Sequence, residues 1–150
     1  MTGASVATST SRILFGTLAF LALAGMIVSA VSLQRHYAKS ATEFCDLGQK
    51  FNCDIVNRSE YSRIMGIPVA GIGMAGYAAL LALSTFFRSR AETPTRLFAT
   101  AIGGLAFAFY LTYIEAYVLT TWCILCLVSL ALISLITLLA GAVKLGAAKA

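Results

Sequence analysis

Charged residues make up only 11% of the 150-residue chain, six acidic and eleven basic. A soluble domain carries about 25% charged and roughly 45–50% apolar residues, whereas here 59% are hydrophobic and the mean hydropathy is +0.87. That scarcity excludes a domain surrounded by water and leaves an integral membrane protein. The net charge of +5 comes from basic residues scattered singly along loops and ends, with no interleaved aromatics, so no nucleic-acid partner is expected. Histidine is nearly absent. The single one, His36, follows the first apolar run and is expected as an interfacial surface residue rather than a catalytic base. There is no second composition regime, internal repeat or low-complexity tract, so residues 1–150 are expected to form one domain.

What the chain does have is long apolar runs. Four of them, 13–33, 68–87, 97–119 and 122–145, are long enough to cross a hydrocarbon core of ~30 Å, which takes about 20 helical residues. The expected fold is an all-α membrane protein, a four-transmembrane-helix bundle. Val28-Ser29-Ala30 resembles a signal cleavage site, but only Arg12 precedes the apolar run, and the run exceeds the ~7–15 residues of a signal core. The first span is therefore read as a retained anchor. Arg88, Arg90 and Arg96 crowd the short connection between the second and third spans, on the side that also receives Arg12, Lys144 and Lys149. On the other side, Arg35, Lys39, Lys50, Arg58 and Arg63 are spread out and interleaved with Glu43, Asp46, Asp54 and Glu60. The dense loop is expected in the cytoplasm with both termini, and the long first loop is expected on the extracytoplasmic face of an inner or plasma membrane.

The four cysteines then fall at that oxidising face, where disulfides form and persist. Cys123-Ile124-Leu125-Cys126 opens the fourth span. In the first turn of a helix, unpaired amides and the helix dipole favour a thiolate, the nucleophile of disulfide exchange, and one turn brings two sulfurs within bonding reach. The alternative is two small apolar fillers. Cys45 and Cys53 lie in a polar loop beside Asp46, Gln49, Lys50, Asn52 and Asp54, with seven residues between them. Alone, they would read as a structural staple. A zinc site built from all four is disfavoured by the spacing and by one pair lying at membrane depth, and no metal is expected. Together the pairs suggest a relay of electrons between thiols and something dissolved in lipid. The alternative is a small membrane scaffold or transporter subunit with static disulfides.

Other features carry two readings each. The segment from Asp54 to Met65 is expected as a short amphipathic interfacial helix between spans one and two, ended by Gly66 and Pro68, that would close over the bundle mouth; the other reading is a surface loop. Glu115, an ionisable group inside the third span, is a candidate for proton handling, or else snorkels or caps near the interface. Gly71-Ile72-Gly73-Met74-Ala75-Gly76 spells a dinucleotide fingerprint, but inside a membrane span it is read as small residues that let helices pack closely. Phe107, Phe109, Tyr110, Tyr113 and Tyr117 could line a ligand pocket or simply fill the bundle. Asn57-Arg58-Ser59 spells a glycosylation acceptor, a common chance match.

Cys45-Asp46-Leu47-Gly48, Cys53-Asp54-Ile55-Val56 with Ser59 following, Gly66 leading into the second span, and Cys123-Ile124-Leu125-Cys126 opening the last together resemble the vitamin K epoxide reductase family. The likeness extends over nearly the whole chain. It implies that Cys45 and Cys53 are a shuttle pair exchanging disulfides with a thioredoxin-like or DsbA-like protein, encoded separately because no such domain follows the fourth span. It implies further that Cys123 takes electrons from the shuttle, through Cys53, and that Cys126 stands beside a quinone. Ser59 matches a loop hydroxyl that helps hold the short helix or polarises the substrate. Animal members carry a Tyr beyond the C-x-x-C and an Asn before the second span, where this chain has Leu130 and Ser62. The resemblance thus points to ubiquinone or menaquinone as electron acceptor, in a thiol-disulfide oxidoreductase that supports disulfide formation.

Overall fold

The computed structural model describes residues 2–37, 60 and 63–149. Cys45, Cys53, Ser59, Ser62 and most of the segment from Asp54 to Met65 lie outside the described residues. Helix α1 runs Thr2–Tyr37, α2 Val69–Thr85, α3 Thr93–Tyr113 and α4 Ile124–Lys149. An apolar chain in lipid must satisfy its backbone groups internally, and a helix does so within a single segment. Pro68, fixed in an extended conformation, stands at the start of α2. Pro94 sits in the first turn of α3, where its missing N–H is not needed.

Three stretches, Ser9–Tyr37, Thr93–Leu119 and Ile124–Gly146, are long and apolar enough to cross a membrane. The second of the expected spans, 68–87, is realised as the 17-residue α2, which rises about 25 Å at 1.5 Å per residue and so falls short of a full ~30 Å core. The third begins earlier than its expected start at Leu97. The fourth begins later than Trp122 and continues to Lys149.

The helices close a ring in which α1 packs on α2 and α4, and α3 packs on α2 and α4. Phe15, Leu18, Leu80, Leu97, Ile133 and Ile136 form the buried core of one half. Outward faces remain apolar; Phe20 and Leu138 are 70% and 71% exposed, as expected of side chains meeting lipid tails. With lipid as apolar as leucine, packing must hold the helices together, and the tightest approach is between α1 and α2. A Cβ on Gly25 would come within 2.2 Å of the Tyr77 ring, and one on Gly73 within 3.1 Å of Ser29 Oγ. Among the three glycines of the 71–76 motif, only Gly73 makes such an approach; Gly71 and Gly76 face open space. Thr137 Oγ1 donates to Ile133 O at 2.7 Å and reaches Ala101 O on α3 at 3.3 Å.

Two local expectations are corrected. Residues 63–65 do not end a helix: Arg63–Ile64 (β1) and Ile67–Pro68 (β2) pair as a minimal antiparallel hairpin. Met65 and Gly66 adopt φ of 53° and 84°, the consecutive left-handed pair that a two-residue hairpin turn requires and glycine makes easy. His36 is buried rather than on the surface, because Arg63 of the hairpin reaches the end of α1 and donates from Nε to His36 Nε2 at 3.1 Å.

Gly25→Ala should lower the melting temperature in detergent, corresponding to about 1–3 kcal/mol of overpacking against Tyr77. Gly16→Ala, where a Cβ meets nothing within 4 Å, should leave it unchanged or raise it.

Candidate functional site

At the other half of the bundle the helices splay around a cavity of about 390 Å³, within the range of small-molecule sites. Its α3 wall consists of Thr100, Gly103, Gly104, Phe107, Ala108 and Leu111, spaced as one face of a helix. Glycine and alanine on that face leave the room that larger side chains would fill. Phe107 alone of the five aromatic candidates lines the cavity. Phe109, Tyr110, Tyr113 and Tyr117 turn outward and are exposed, since their positions fall on the opposite face.

Most of the wall is apolar, with a few hydroxyls placed in it. Ser29 and Ser32 enter from α1, Tyr77 from α2 and Ser129 from α4. Tyr77 Oη donates to Ser129 O at 3.0 Å and lies 2.8 Å from Ser129 Oγ. Cys126, one turn before Ser129, supplies a sulfur to the same wall. Ser129 and Tyr77 were not singled out from sequence; the i, i+3 spacing of Cys126 and Ser129 is the signal that would have found the first. Leu130, noted as a departure from the animal members, is not part of the lining.

Cys123 is fully buried behind this wall. Leu127 N–H donates to Cys123 O at 3.0 Å, the opening bond of α4, which begins at Ile124. Cys123 is therefore the capping residue, one position before the expected first turn, and Cys126 is the third helical residue, where amides lacking helical partners and the positive end of the dipole converge.

The approach to α4 is also shaped locally. After Tyr113, α3 widens into a π-helix, Ile114–Leu119, a form that is rare and concentrated at functional sites. The amides of Thr120 and Thr121 return to Glu115 O. Thr120 takes a left-handed conformation with φ 51°, unusual for a β-branched residue. The turn carries Glu115 inward, to 1% exposure. Of the readings open for this residue, snorkelling is excluded. Its Oε2 accepts the Cys123 N–H at 3.0 Å, and the side chain of Cys126 lies against the same carboxyl. Its Oε1 is buried without a hydrogen-bond partner among the described residues. No group of three or more His, Cys, Asp or Glu among the described residues is placed to hold a metal ion.

A family comparison covers this same architecture. The model of the vitamin K epoxide reductase family matches residues 17–140, most of the chain and all four cysteines. The chain belongs to the vitamin K epoxide reductase family. Membership in the vitamin K epoxide reductase family, with three helices of membrane length, makes it an integral membrane protein of oxidoreductase type.

The Tyr77–Ser129 contact should be measurable as a coupling. Tyr77→Phe and Ser129→Ala should each lower stability, and the double variant should lose less than their sum by about 0.5–1.5 kcal/mol, read from a double-mutant cycle of thermal or denaturant unfolding in detergent.

Proposed function

We propose that the protein is a membrane thiol-disulfide oxidoreductase that oxidises a separate thioredoxin-like protein and passes the electrons to a quinone. The observation that carries this reading is the position of Cys126: its side chain forms part of an apolar cavity sized for a small ring, while Cys123, its partner in the C-x-x-C, is buried behind it. A quinone head group is flat and apolar with two carbonyl oxygens. An apolar wall with a few hydroxyls, Ser129 and Tyr77 among them, suits it.

In the proposed cycle the reduced partner attacks a Cys45–Cys53 disulfide. The resulting dithiol reduces Cys123–Cys126 through Cys53, and Cys126 delivers two electrons to ubiquinone or menaquinone. Ser59 helps to hold the loop or the substrate. The roles of Cys45, Cys53 and Ser59 rest on the family resemblance. The family's oxidoreductase character favours this relay over a scaffold with static bridges. We place the cysteines on the extracytoplasmic side of an inner or plasma membrane and both termini in the cytoplasm, on the strength of the Arg88, Arg90 and Arg96 loop. In that arrangement α2, packed between α1 and α3, serves as the fourth crossing.

Purified protein given a reduced thioredoxin-like substrate should bleach the absorbance of a short-chain ubiquinone or menaquinone. Cys126→Ala should reduce that rate by more than ~10³-fold, as expected when a nucleophile is removed. A Cys126→Ala protein working at the normal rate would overturn the assignment. A reporter fused after Phe87 should behave as cytoplasmic, and the opposite result would reverse the orientation.

A further inference from the structure

Glu115 is the one acidic side chain that the fold carries into the bundle beside the cysteines, and the cycle above gives it nothing to do. Two observations bear on its role. The carboxyl is 1% exposed, at a depth where an ionisable group is retained only for a reason. Its two oxygens are also used unequally: Oε2 is fixed by the Cys123 amide at 3.0 Å, whereas Oε1 has no hydrogen-bond partner among the described residues. The side chain set against the carboxyl is that of Cys126, the sulfur that reaches the cavity. A carboxylate held by one oxygen, with the other open beside a thiol, has the geometry of a general base whose orientation is set in advance.

We infer that Glu115 is the proton acceptor for Cys126: the amide of Cys123 orients its carboxylate, and the open oxygen removes the thiol proton as Cys126 attacks the quinone. The inference rests on the redox role proposed for the C-x-x-C. The step balances as follows. Cys126 Sγ–H gives its proton to Oε1, and the sulfur adds to the quinone ring. Cys123 Sγ then attacks Cys126 Sγ, the sulfur–carbon bond breaks, and the Cys123–Cys126 bond forms. The electron pair stays on the ring, and two protons, one from Oε1 and one from the Cys123 thiol, complete the quinol. Two thiols are oxidised and one quinone is reduced by two electrons.

The same arrangement explains the π-helix. A regular α-helical turn through residues 114–119 would place residue 115 at a different angle about the axis, and the wider turn directs it to the start of α4. The titratable side chain facing Glu115 is that of Cys126, with Cys123 contributing its amide, and no salt bridge to Glu115 is present among the described residues.

The test compares wild type, Glu115→Gln, Glu115→Asp and Cys126→Ala in quinone reduction over a pH series. Glutamine can still accept the Cys123 amide but cannot take a proton. Its kcat should fall about 10²-fold near neutral pH, the usual contribution of a general base, and should recover as pH rises towards ~8.5, where a thiol ionises unaided. KM for the quinone should stay unchanged, since Glu115 is not part of the cavity wall. Aspartate, a carboxylate withdrawn by one methylene, should give an intermediate kcat with the wild-type pH profile. A Glu115→Gln enzyme with wild-type kcat and pH profile would overturn the inference. If that variant does not fold, a Glu115→Asp enzyme with undiminished kcat would overturn it as well. Cys126→Ala separates the two readings: if it is inactive while Glu115→Gln behaves as wild type, only the role of Glu115 falls; if it is active, the redox reading falls with it.

Discussion

The Cys123 amide donating to Glu115 Oε2 at 3.0 Å ties the end of the third helical stretch to the start of α4 across a turn of four residues, 120–123. In a medium without water to substitute, a buried carboxylate and an amide at a helix start each need a partner, and here each supplies the other's. The position of the rest of the site follows from that bond. It holds Cys123 at the cap of α4, which in turn fixes where the third residue of the helix, Cys126, points. From Cys126 the helical repeat carries the same face on to Ser129 and Ile133, both in the cavity wall. The left-handed Thr120 and the widened turn before it are backbone conformations of higher energy that this arrangement maintains.

The bundle divides its work between two halves. Where α2 ends and α3 begins, Phe15, Leu18, Leu80, Leu97 and Ile136 pack without space for a ligand. Towards the hairpin and the turn before α4, small residues on α2 and α3 hold the walls apart. Tyr77 joins the halves. Its ring lies on Gly25, and its hydroxyl reaches Ser129 on α4, so one side chain sets the spacing of α1 and α2 and also closes the cavity floor. Small residues therefore act in two ways here: Gly25 admits a ring from the neighbouring helix, whereas Gly76 and Gly103 leave volume empty.

The all-α membrane class was legible because low charge and long apolar runs leave few other solutions. The C-x-x-C at the start of the last span was legible because four letters fix its local geometry once the helix is placed. The inward turn of Glu115 was only half legible. The carboxylate stood out in an apolar run, but a π-helix leaves no periodic signature, so sequence alone could not direct that side chain towards the cysteines. The outward position of Tyr110, Tyr113 and Tyr117 was missed because an aromatic cluster reads alike whether it faces lipid or core. Apolar periodicity, the usual discriminator, is weak where both environments are apolar. The hairpin was hidden by its size, two residues on each strand, and the burial of His36 depended on a contact with Arg63, 27 positions away.

Gly103 both lines the cavity and is exposed on the outside of the bundle. A residue with no side chain that borders both spaces is an unglazed window in the wall of α3, opening sideways into the membrane interior rather than upward into water. The chamber therefore limits the size of the head group it encloses and not the length of whatever hydrocarbon is attached to it, because a tail can remain outside, dissolved among the lipid chains.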